Sequence, residues 1–148
     1  MTTIAWDGTT LAGDRCSWSG GTRRKVRKVF KIKAKDGETL LVGLVGQQSF
    51  AYQVVEWLKG DRLVGPVCKD FGVDAQEACA LIINSKRKVF VLGASLTYNP
   101  MLEKIFSIGA GCEYAWGALE AGATAKQAIQ ITAKRSDYSA LGADCITF

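Results

Sequence analysis

The stretch TLLVGLVG, residues 39–46, constrains the fold more than any other part of the chain. It is apolar at odd and even positions alike, so as a strand it has no face suited to water. Its sheet must be covered on both sides. Immediately before it stand KVFKIKAK and the pair Asp36-Gly37, a two-residue hairpin signal in which the turn requires positive φ. An earlier hairpin is spelled the same way: residues 2–6, then Asp7-Gly8, then residues 9–13, ending at Asp14. RCSWSGGT, between the two, reads as loop or edge strand.

The period then changes. In SFAYQVVEWLKG, Phe50, Val54 and Leu58 stand four apart, with Ser49 placed to cap the start and Gly60 the end. After a Gly-Pro break at 65–66, DAQEACALIIN carries Asp74 and Glu77 at capping-box spacing and reads as a second helix. RKVFVLGAS reads as a strand, TYNP as a turn and KIFSIG as a strand. GAGCEYAWGALEAG reads as a helix closed by Gly122, and TAKQAIQITAKR as a helix opened by Thr124 and Gln127. CITF is a short last strand. Hairpins grouped together and helices in pairs imply α+β layers, not a βαβ repeat. With 148 residues and no linker or repeat, one domain over 1–148 is expected.

The chemistry is bounded by what is missing. There is no histidine, which excludes Ser-His and Cys-His catalysis. Five scattered cysteines without a CxxC pair give no zinc pattern, so neither metal nor cofactor is expected and reduced thiols are the simplest account. No apolar run reaches membrane-spanning length, and no secretory signal is read at the start; a cytoplasmic location is expected. The net charge of +5 is concentrated in TRRKVRKVFKIKAK, which holds eight basic residues and no acid. Valine, phenylalanine and isoleucine interrupt this run as a solvated strand requires, and exposed aromatics are not interleaved, so nucleic-acid binding is the lesser reading.

Without histidine, the α-amino group becomes a candidate base. Loss of Met1 leaves Thr2 with a free amine and a hydroxyl on one residue. The amine's reference pKa of about 7.7–8.0 suits proton transfer near neutrality, and a threonine hydroxyl needs such a base to act as a nucleophile. Taken alone, the two threonines read first as β-formers opening an edge strand.

TTIAWDGTTLAGD, the Lys28 pentad KVFKI, VGLVG before a helix and SIGAG before a helix occur in this order. Together they resemble the proteasome β-subunits and the bacterial HslV peptidase, over essentially the whole chain. That resemblance implies the four-layer αββα sandwich of two mostly antiparallel sheets flanked by helices, of N-terminal-nucleophile hydrolase type. It implies a threonine peptidase with Thr2 as nucleophile, Asp14 as structural acid, Lys28 as the active lysine and Gly46 as the oxyanion N–H. Lys25 in KVRKV fits the lysine pattern second best. Ser139 in SDYS matches the family's second hydroxyl, whereas Ser136 stands where the family has an aspartate and Asp137 is one residue late. The family's Gly-Ser-Gly is here Gly109-Ala110-Gly111.

The resemblance further implies a homo-oligomeric ring or stacked rings acting on polypeptides, fed by a separate ATP-dependent unfoldase; no GxxxxGK[ST] motor motif is present. Trp57 and Trp116 on helix faces, and Trp18 read in a loop where exposure is costly, also suggest an oligomer. Two alternatives stand beside the peptidase: a catalytically silent ring or scaffold protein, and an amidase using the same threonine on a small substrate.

Overall fold

The computed structural model of the 148-residue chain describes residues 1–60, 78–93 and 97–148. Its first hairpin is β1 (Thr3–Trp6) and β2 (Leu11–Asp14). A ribbon of β3 (Cys16–Ser19) and β4 (Thr22–Lys25) follows, then β5 (Val29–Lys33), β6 (Thr39–Val45) and helix α1 (Gln48–Lys59). Next come β7 (Cys79–Ile83), β8 (Val89–Leu92), β9 (Tyr98–Met101) and β10 (Phe106–Gly109). Helices α2 (Cys112–Glu120) and α3 (Ala125–Arg135) precede β11 (Ala143–Ile146).

These strands form antiparallel sheets in the orders β10-β1-β2-β11 and β5-β6-β7-β8-β9, beside the β3-β4 ribbon. The doubly apolar β6 is resolved by its alternation. Leu40, Val42 and Leu44 face Phe50, Val54, Val55 and Leu58 of α1. Leu41 faces Ile4, Trp6 and Leu11 of the four-stranded sheet. That sheet turns Ala5 and Ala12 outward to Ala115, Leu119, Ala128 and Ile129 of α2 and α3. Small residues on this face let the helices approach closely.

Several expectations are corrected. ALII of the expected second helix belongs to β7; Asp74, Glu77 and the Gly-Pro break lie outside the described residues. Ala80 and Ile82 join the α1 core while Leu81 and Ile83 join the inter-sheet core, so burial on both faces, not helical packing, decides this segment. Tyr98, Asn99 and Pro100 of TYNP do not form a turn but lie in β9, an edge strand, where a proline is tolerated. Ser49 lies inside the first turn of α1, whose N-cap is Gln47. Trp18 sits in β3 instead of a loop, with the Arg23 guanidinium 4.9 Å from its ring centroid. The capping box of α3 forms as read, Thr124 and Gln127 each bonding the other's backbone.

Ile4 sits in the contact between the two sheets. A Cβ on Gly43 would lie 2.5 Å from Ile4 Cγ2, and one on Gly13 would lie 2.8 Å from Ile4 Cδ1. Two glycines thus hollow a seat for one fully buried isoleucine. Gly43→Ala is expected to lower stability by about 1–3 kcal/mol through overpacking, read from urea unfolding. An unchanged midpoint would contradict this packing.

Candidate functional site

The first hairpin delivers the chain's start to the β5–β6 edge. Asp14, at the end of β2, is wholly buried and is satisfied from three sides. Thr3 N–H donates to its Oδ1 at 2.9 Å, Cys16 N–H to its Oδ2 at 3.0 Å, and Lys28 Nζ to both oxygens at 2.9 and 3.1 Å. Lys28, just before β5, is 7% exposed. Its ammonium also donates to the carbonyls of Cys16 and, at 3.1 Å, of Met1. Loss of water from this buried cation outweighs the pull of Asp14, so its pKa lies below the ordinary 10.5.

Thr2 is 7% exposed, while Met1 in front of it is 56% exposed. The Thr2 carbonyl receives Gly111 N–H at 3.4 Å. Gly109 and Gly111 are required by this approach. A Cβ at Gly109, whose φ is +98°, would collide with the Thr2 carbonyl, and one at Gly111 with the Thr3 hydroxyl. Thr3 is held further by its own hydroxyl, which donates to Tyr138 O at 2.9 Å.

Two openings meet at Thr2. A narrow one of about 80 Å³ is bordered by Cys16, Arg27, Lys28, Leu44, Gly46 and Gln48. A wider one of about 730 Å³ runs past Ser17, Trp18, Arg24, Gly46, Cys79 and Ala110. Gly46 borders both, at φ +110°, with Ala78 so close that a Cβ would come within 2.8 Å of it. Burial pushes the Cys79 thiol up to about 11, so it is uncharged there near neutrality.

The structure therefore brings Thr2, Asp14, Lys28 and Gly46 together. Other residues singled out by sequence lie elsewhere. Lys25 is exposed on β4, opposite Cys16. Ser139 is buried, and its hydroxyl donates to Ile129 O at 3.1 Å. Ser136 ends α3 and accepts Tyr138 N–H at 3.1 Å. Asp137 points outward, 3.7 Å from Arg23. None of these four borders either opening. Thr3, the Cys16 carbonyl, Arg24 and Arg27 escaped the sequence reading. Only the basic run signalled the two arginines, and backbone acceptors leave no sequence mark. Among the described residues, no cluster could hold a metal ion, and no helix is long and apolar enough to cross a membrane.

No family model and no curated protein matches the sequence. Solved structures do match its fold. Thiobacillus denitrificans BPH in complex with epoxomicin superposes with a TM-score of 0.71 at 20% identity, over 99% of this chain and 97% of that one. The Anbu (Gly-1) mutant from Hyphomicrobium sp. strain MC1 gives 0.76 at 12% identity, over 100% and 82%. Anbu from Yersinia bercovieri, described as an ancestral beta-subunit, gives 0.65 at 12%, over 99% and 80%. The chain thus has an α+β fold of the proteasome-subunit type.

Replacing Lys28 by methionine leaves Asp14 buried without its cation, and a loss of about 3–5 kcal/mol is expected at neutral pH. The pH dependence has a definite sign. Between the lowered folded-state pKa and 10.5, the unfolded chain holds more protons at Lys28 than the folded one. The stability difference, wild type minus Lys28→Met, should therefore rise with pH across that window and level off above it. Urea unfolding at a series of alkaline pH values reads this; a falling difference would contradict dominance by desolvation.

Proposed function

We propose that this chain is a threonine peptidase subunit of the proteasome β type, with the αββα sandwich of N-terminal-nucleophile hydrolases formed as one domain over residues 1–148. One observation carries the reading. Lys28, paired with buried Asp14, donates to the carbonyl of Met1, the group joined directly to the Thr2 nitrogen. Met1 is exposed where Thr2 is buried, so an aminopeptidase can reach the first bond and leave the α-amine of Thr2 inside the Lys28 environment. The positive charge of Lys28 favours the neutral amine, which takes the proton of the Thr2 hydroxyl as Oγ attacks a peptide carbonyl. Gly46 N–H donates to the developing oxyanion. The amine returns its proton to the leaving group, and water releases the acyl-enzyme.

A BPH structure of the same fold is in complex with epoxomicin, which supports using that compound as the probe. The proposal extends to a homo-oligomeric ring or stacked rings in the cytoplasm, receiving polypeptides from a separate ATP-dependent unfoldase. The silent-scaffold reading is favoured by two features: Ala110 borders the wide opening with no hydroxyl where the family has serine, and Asp137 is turned away.

Incubation with epoxomicin should add one equivalent per chain by intact mass. Thr2→Ala should remove both the adduct and peptide hydrolysis. Wild-type protein that forms no adduct and cleaves no peptide would establish the silent reading.

A further inference from the structure

The charges around the two openings are one-sided. Among the described residues, those bordering either opening include no aspartate or glutamate. Three cationic side chains border them: Lys28 and Arg27 on the narrow one, Arg24 on the wide one. Lys28 is already paired with Asp14 at 2.9 Å. Arg24 and Arg27 have no ion-pair partner among the described residues, and both are exposed. Their neighbours are committed elsewhere. Arg23 lies over Trp18 and near Asp137, and Lys25 borders neither opening. In the ribbon Arg24 pairs with Ser17, and both border the wide opening.

A guanidinium at the mouth of a cleft, with its counter-charge missing, offers a planar fork of donors to a carboxylate. Partial shielding by the cleft walls makes such a bond stronger than on open surface. Resting on the peptidase reading of Thr2, we propose that this site selects peptides with an acidic side chain beside the bond presented to Thr2. Arg27 receives that carboxylate in the narrow opening. Arg24 provides a second cation farther along, so a second acidic residue strengthens binding.

The test is equilibrium binding, which does not require turnover. The full-length Thr2→Ala protein is titrated with fluorescently labelled hexapeptides that differ at one position: Glu, Gln, Leu or Lys. Glu and Gln differ in charge and hardly in shape, so their ratio isolates the carboxylate. The Glu peptide should bind at least about tenfold more tightly than the Gln peptide, the range of a charge-assisted hydrogen bond. Raising the salt concentration should shrink the ratio. Arg27→Ala should bring the ratio close to one, and Arg27→Glu should shift preference to the Lys peptide, a gain that misfolding cannot imitate.

Equal binding of Glu and Gln peptides by the Thr2→Ala protein would overturn the proposal, as would a ratio indifferent to both Arg27 variants. Absence of any peptide binding, or tight binding of a single-stranded oligonucleotide without discrimination among peptides, would overturn it too. The outcome is separate from that of the peptidase reading, which stands or falls on the epoxomicin adduct in the wild type.

Discussion

The Asp14–Lys28 pair is the interaction on which the rest of the site depends. Asp14 has no access to water, and an uncompensated carboxylate there would cost several kcal/mol. Its two oxygens instead collect the Thr3 amide, the Cys16 amide and the Lys28 ammonium. Each donor comes from a different strand or strand entrance. The start of β1, the entrance to β3 and the approach to β5 are thereby pinned to the end of β2. The same ammonium then reaches Met1 O, so this buried charge also holds the residue in front of Thr2.

That arrangement explains why the glycines cluster where they do. A chain start held this tightly needs its neighbours to stand back. Gly109 and Gly111 do so on the β10–α2 side, while Gly46, at the end of β6, makes room for Ala78. Ile4, two residues from Thr2, is seated between Gly13 and Gly43, which ties the site to the contact between the two sheets. Position at the site and stability of the core are therefore one problem, and a change in the inter-sheet packing should be felt at Thr2.

Much of this was legible in the sequence, and the reasons are specific. Asp7-Gly8 and Asp36-Gly37 mark the hairpins because few residues accept positive φ; both hairpins form, with Gly8 at φ +95° and Gly37 at +87°, but over connections of residues 7–10 and 34–38 and not as two-residue turns. Thr124 and Gln127 mark α3 because a capping box is a local interaction. ALII was misread as helix because a strand buried on both faces has no alternation to display. TYNP was misread because its turn-forming residues yield to pairing with β8. At the site, Lys28 was distinguishable from Lys25 only by the family pattern, since burial separates them and burial is a tertiary fact. The Cys16 and Met1 carbonyls were invisible, as backbone acceptors always are.

The central proposal is that Thr2, once Met1 is removed, is the reacting group beside Lys28. The most direct measurement is the intact mass of the protein expressed from its native first codons. The account predicts a mass lacking one methionine, with Thr2 as the first residue. Quantitative retention of Met1 would contradict it, because the Thr2 nitrogen would then remain an amide and could accept no proton.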